Sequence, residues 1–140
     1  MSIFKEDNPE IIQKSLSIKA KNLKTGRLGE EIAKKYLQSN RYVIIEQNYR
    51  TRWAEIDLIA LCKGILVFIE VRTRKGERFG IPEESLNRNK KIKLINNAKA
   101  YVAKKRWKKE YRIDAICIVL DNNYRVSRIN HYKNINFLPG

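Results

Sequence analysis

The sequence predicts an α/β domain, a mixed β-sheet with helices packed against it, and three observations carry that prediction. Runs rich in Val, Ile, Leu and Tyr at 42–49, 54–72, 113–120 and 126–132 have the composition and length of strands, the second run being long enough for two. Between the second and third lies a long stretch in which Leu94, Ile95, Ala98, Tyr101 and Val102 recur at spacings of three and four, the period of a helix. The chain begins with helical patterns, and 140 residues suit a single compact core.

Taken in order, Asn8 followed by Pro9 starts a polar helix over 9–23 with Ile11, Ile12, Leu16 and Ile18 on a loose apolar face. Thr25 and Gly26 open a second helix to about Gln38, striped by Ile32, Ala33, Tyr36 and Leu37 and ended by Asn40 and Arg41. Residues 1–24 are thus expected to be a helical extension, and 25–140 the domain proper. The first strand is 42–49. The stretch AEIDLIALCKGILVFIEVR, 54–72, supplies a hairpin turning at Lys63–Gly64, because glycine tolerates the positive φ of a tight turn. A helix from Ser85 to Lys109, a strand over 113–120, the DNNY turn and a last strand over 126–132 complete the order.

Thirty Lys and Arg against fifteen Asp and Glu leave a formal charge of +15, which implies a polyanionic partner. Residues 81–112 alone hold eleven basic residues against three Glu, a one-signed face suited to phosphates. No apolar run, Ile65–Ile69 included, is long enough to span a bilayer, and MSIFKEDNPEII lacks the apolar core of a signal peptide, so a cytoplasmic protein is expected. Cys62 and Cys117 lie in apolar strands without CxxC spacing and read as small core residues. A lone His131 excludes a His-based metal site and reads as structural.

Acidic residues inside the hairpin are the exception to this basic chain. With Lys63–Gly64 as the loop, Asp57 falls opposite Glu70 and Glu55 opposite Arg72. Alternation then puts Glu55, Asp57, Glu70 and Arg72 on one face and Ile56, Leu58, Ile69 and Val71 on the other. Like charges placed opposite each other are destabilising. Three arrangements relieve them: an ion-pair cluster with Arg72, two carboxylates sharing a proton, or a divalent cation such as Mg²⁺ or Mn²⁺ held by oxygen ligands. The basic surface favours the last. On the second helix Glu30 borders the buried stripe and is the candidate third carboxylate, while Glu31 faces solvent near Lys35.

This pattern resembles the PD-(D/E)XK nuclease superfamily: Asp57, then Glu70-Val71-Arg72 across a hairpin, with Glu30 from a preceding helix. More closely, GRLGEEIAKKYL, the Asn48–Arg50 segment, AEIDLIA, VFIEVRTR, RFGIPEES, the Lys90 helix with Ala98, YRIDAICI and INHYKNINF resemble the YraN family of small bacterial proteins over roughly residues 26–137. The resemblance implies a restriction-endonuclease-like fold, a central mixed sheet flanked by helices, here with an extra N-terminal helix. It implies a metal-dependent endonuclease acting on DNA phosphodiester bonds, branched or structured DNA included, or else an inactive nucleic-acid-binding protein of the same fold. Glu30, Asp57, Glu70 and the Val71 carbonyl would hold Mg²⁺ or Mn²⁺, with Glu30, Asp57, Glu70 and Arg72 catalytic. Lys90 would be a further site-edge or phosphate contact, and from the basic bias of residues 81–112 Lys90, Lys91 and Lys93 are expected to contact nucleic acid; no membrane partner is expected, and a homodimer is an option. Arg112 and Asp114 match the family's Arg-x-Asp and read as structural. Two positions depart from the pattern: Ala54 stands where a Gly usually precedes Glu-Ile-Asp, and Arg72 where a Lys is usual, and a guanidinium cannot practically deprotonate water.

Overall fold

The computed structural model describes residues 18–135, with side chains from residue 23 onward. Helix α1 (Ile18–Ser39) is followed by strands β1 (Val43–Arg50), β2 (Glu55–Cys62) and β3 (Ile65–Lys75), a 3₁₀ turn (Pro82–Ser85), helix α2 (Arg88–Lys105), and strands β4 (Tyr111–Leu120) and β5 (Val126–Tyr132). The five strands lie in sequence order in one sheet. β3 and β4 pair in parallel and the other pairs are antiparallel, so the sheet is mixed as the sequence predicts. The parallel pair requires a crossover, which the 3₁₀ turn and α2 provide. With helices against both faces, this is the restriction-endonuclease-like arrangement.

Three helix boundaries differ from the prediction, one of them the end of α2, which stops at Lys105 rather than Lys109 with Arg106 in the left-handed conformation. No break occurs at Thr25–Gly26, because one helix runs through both from Ile18. A mid-helix glycine costs roughly 1 kcal/mol, and the burial of Thr25 and Leu28 in the turns around it holds the helix together. The expected 9–23 helix otherwise lies outside the described residues. The second boundary is at α2, which begins at Arg88 rather than Ser85: Asn87 caps it by accepting the Lys90 N–H at 2.9 Å, and residues 82–85 form the separate 3₁₀ turn behind Pro82.

The hairpin register is the predicted one. Lys63 and Gly64 both have positive φ, 51° and 79°, and Leu58 faces Ile69 as Cys62 faces Ile65. On one face of the sheet Leu28, Ala33 and Leu37 of α1 pack with Leu58, Val67, Ile69 and Val71. On the other, Leu94, Ala98 and Tyr101 of α2 pack with Ile59, Phe68 and Ile113. Ile56 joins this second cluster, not that of Leu58 as strict alternation requires. The β2–β3 ladder starts only at Leu58, so residues 55–57 are not held to the pleat of β3.

Gly29 marks the closest approach of α1 to the sheet. A Cβ there would lie 1.7 Å from Thr73 Oγ1 and 2.7 Å from Thr73 Cβ, so rotating the threonine cannot relieve the clash. Gly29→Ala is expected to destabilise the protein by about 1–3 kcal/mol, the usual range for overpacking, despite alanine's better helix propensity. A urea midpoint unchanged from wild type would refute this.

Asp114, fully buried, joins Arg112 and His131, which the sequence reads separately as structural, in one network. It accepts Arg112 Nε at 3.0 and 3.2 Å and the Asn134 N–H at 3.2 Å, and pairs with His131 Nε2 at 2.7 Å. Arg112 Nη2 donates to Tyr42 Oη at 2.6 Å, and His131 Nδ1 lies 3.2 Å from Tyr36 Oη, so β4, β5 and α1 are tied at one point. Cys117 is buried, its thiol pushed up to about 12 chiefly by that burial, and Cys62 is half-buried; neither is bonded. Among the described residues no helix is long and apolar enough to cross a membrane.

Candidate metal centre

Three elements bring acidic groups, and a fourth a lysine, to the point where β2 leaves β3. Glu30 follows Gly29 on α1, so the tight packing of that turn sets its position against the sheet. Glu55 and Asp57 open β2, Glu70 lies in β3, and Lys90 sits in the first turn of α2. One carboxylate oxygen each from Glu30, Glu55 and Asp57 lie within 4.8 Å of one another. Asn48 Nδ2 bridges two of these carboxylates, donating to Glu30 Oε1 at 2.6 Å and Glu55 Oε1 at 2.9 Å. The backbone of Asn48 is left-handed, φ 49°, a conformation asparagine tolerates better than most residues. Arg50 Nη2 holds Glu55 Oε2 at 3.0 Å. The Val71 N–H donates to Asp57 Oδ2 at 2.8 Å. Lys90 Nζ lies 3.0 Å from Glu70 Oε2 as an ion pair but outside hydrogen-bond geometry, which leaves that buried oxygen without a directed donor.

The electrostatics follow from these contacts. Burial, then the hydrogen bond and charge of Glu70, push the Asp57 carboxyl up to about 9, against the opposing Val71 N–H. Burial also raises Glu30, with the charges of Glu55 and Glu70 adding to it and the Asn48 bond opposing. Glu55 moves the other way: burial acts to raise it, but the bonds from Asn48 and Arg50 and the charges of Arg50 and Lys90 outweigh that effect. A group of carboxylates that resists full ionisation is the condition a cation relieves. The donors are all hard oxygens, which fits Mg²⁺ or Mn²⁺ better than a thiophilic metal.

Of the residues expected here, Glu30 and Asp57 come together, and Glu70 acts on Asp57 from beside them without joining the three carboxylates whose oxygens lie within 4.8 Å of one another. Val71 contributes its N–H; its carbonyl is a ligand only by resemblance. The expected Glu55–Arg72 pair is not formed, because Arg50, the neighbour of Glu55 on β1, takes the carboxylate instead. Arg72 lines a separate cavity of about 430 Å³ with Thr25, Gly26, Thr73, Phe79 and Ser85, and its buried Nε has no hydrogen-bond partner. Lys93 is exposed, whereas Lys91 is only 8 % exposed, its spacing to Leu94 and Ala98 placing it on the sheet-facing stripe of α2. Glu55 and Asn48 as members of the acidic cluster were missed. The same-face position of Glu55 was the available signal for one; for the other, a polar residue with turn preference inside an otherwise regular strand.

Comparison with known proteins gives the family. Residues 29–118 match the family described as Uncharacterised protein family UPF0102. The chain is 43% identical over 122 residues to a UPF0102 protein of Desulforamulus reducens, covering 85% of this chain and 98% of that protein. Over 120 residues it is 38% identical to UPF0102 protein TTE1452 of Caldanaerobacter subterraneus subsp. tengcongensis, covering 84% and 98%. A relative from Herpetosiphon aurantiacus is 41% identical over 115 residues, covering 79% and 91%. The matched span contains every carboxylate of the acidic cluster, and the chain belongs to family UPF0102, the YraN family.

Proposed function

We propose that this protein is a metal-dependent nuclease hydrolysing DNA phosphodiester bonds. The observation that carries the proposal is the convergence of Glu30, Glu55 and Asp57 within 4.8 Å beside a buried Glu70, in a chain of charge +15. Glu30, Glu55 and Asp57 would hold Mg²⁺ or Mn²⁺, with Glu70 and the Val71 carbonyl completing the oxygen set. When bound, such an ion supplies polarisation of the phosphoryl group and a water of lowered pKa. Asn48 and the Val71 N–H fix the carboxylates in place. Lys90 brings to Glu70 the ammonium that the Glu-x-Lys pattern would have supplied from position 72, close enough to meet a phosphate oxygen as charge develops there. Arg72 offers a guanidinium to phosphate on the neighbouring cavity.

The direct test is incubation with linear, single-stranded, flapped and four-way-junction DNA in Mg²⁺ or Mn²⁺, with EDTA as control. Metal-dependent cleavage of any of these supports the proposal. A catalytically inactive nucleic-acid-binding protein is the second reading, favoured by the arginine at position 72. It takes over if the protein binds metal and DNA but cuts none of the substrates.

Binding separates Lys93 from Lys91. Lys93→Ala is expected to flatten the slope of log K against log salt by about 0.9, the value for one phosphate contact on duplex DNA. Lys91→Ala, at a buried position, is expected to leave the slope unchanged. Equal effects from both would mean that general charge, not placement, governs binding.

A further inference from the structure

Beside the acidic cluster, the loop between β1 and β2 and the outer face of α2 enclose a groove of about 470 Å³ lined by Trp53, Ala54, Lys93, Asn96, Asn97 and Ala100. Trp53 is 76 % exposed, an unusual position for an indole. Its place is fixed by the backbone: Thr51 Oγ1 accepts the N–H groups of Trp53 and Ala54 at 3.2 and 3.3 Å, and the Thr51 N–H donates to the Ala54 carbonyl at 2.9 Å. Arg52 lies over the indole, 4.8 Å from its centroid, adding positive charge.

Asn97 is the second observation. It is 5 % exposed, its Oδ1 lies 3.2 Å from Thr51 Oγ1, and its Nδ2 is buried without a partner. Whichever way the amide is turned, one polar end meets Thr51 and the other is left unmet. A buried donor left unmet costs about 1–3 kcal/mol, a cost that a hydrogen-bond acceptor in the groove would offset.

We infer that this groove holds an unpaired nucleobase, with Trp53 stacking on its face, Asn97 bonding its edge and Lys93 meeting the adjoining phosphate. The inference rests on the nucleic-acid reading above and specifies the substrate class: DNA with a base out of the stack near the carboxylates. An aromatic face is the sequence-tolerant platform for unstacked bases, and an asparagine amide offers the donor and acceptor that a base edge needs. Lys90 and Asn97 lie two turns apart on α2, about 10 Å along its axis, so the base would sit within about three stacked nucleotides of the phosphate at Glu70. Paired duplex offers no base to this groove.

Three DNA probes test this in Ca²⁺, under conditions that record binding alone: a duplex, the same duplex with one unpaired adenine, and that duplex with an abasic residue in place of the adenine. Wild type is expected to bind the unpaired-adenine duplex about tenfold more tightly than the paired one, with the abasic duplex equal to the paired one. Trp53→Ala should bring the tenfold preference below twofold, Trp53→Phe should retain most of it, and Asn97→Ala should reduce it. Equal binding of all three probes by wild type, or a preference that survives Trp53→Ala or the abasic substitution, overturns the inference while leaving the nucleic-acid reading intact. No binding of any probe overturns both.

Discussion

Asp57→Asn is expected to lower metal-dependent cleavage by about 10²–10³-fold, the usual loss when one preorganised charge-stabilising group is removed, and to make the metal-free protein more stable. The second effect has a definite sign. Asp57 is raised to about 9 in the folded protein, by burial and then by Glu70, whereas an unfolded aspartate titrates near 3.9. Between those values the folded state holds a proton the unfolded state has lost, so stability is greatest below about pH 4 and declines as pH rises toward 9. Asparagine removes that slope, with a gain of about 1–2 kcal/mol at neutral pH expected because folding no longer requires that carboxyl to take up a proton. Urea titrations in EDTA at pH 5 and pH 9 should show a larger fall for wild type than for the variant. Mn²⁺ should stabilise wild type and not Asp57→Asn. A variant less stable than wild type at both pH values would mean that Asp57 is a structural ion-pair member, and the metal reading would lose its main support.

Asp114→Ala is expected to be the most damaging substitution for stability, at about 3–5 kcal/mol, because it removes a fully buried carboxylate and leaves the half-buried Arg112 guanidinium and His131 without it. Arg112 Nε loses both acceptors, at 3.0 and 3.2 Å, and His131 loses its 2.7 Å partner. The lost interactions join three elements at once, so the effect exceeds that of a surface pair such as Arg50–Glu55, worth about 0–1 kcal/mol. Denaturant unfolding of the two single variants compares them directly. A loss below about 1 kcal/mol at Asp114 would show that the Tyr42 and Tyr36 contacts hold the strands without it.

Much of this was legible because the deciding interactions are local. A two-residue turn sets the whole register of its hairpin, and the period-3.6 stripe of α2 survives any tertiary environment. Alternation carried Asp57 and Glu70 to the same place, but it could not see that the β2–β3 ladder ends at Leu58, which released Ile56 to the other cluster. The partner of Glu55 was mistaken for a similar reason. Cross-strand reasoning within one hairpin finds Arg72, while Arg50 is the residue opposite on a third strand, whose pairing depends on a shift in register between Ile44 and Glu46. The long helix through Thr25–Gly26 shows tertiary burial overriding a local breaker.

The Gly29–Thr73 contact ties the composition of the helix to the reach of a carboxylate. Glu30 is the next residue, so any side chain that lifts α1 from β3 also draws Glu30 away from Asn48 and Asp57. A displacement of about 1 Å at reacting groups can change rates by about 10²-fold. Positions 29 and 73 therefore behave as one inherited unit: bulk can pass from one to the other only if both change together. A divergent chain with alanine at 29 should have surrendered its threonine at 73, and grafting either residue alone between relatives should cripple the graft while the pair transfers intact.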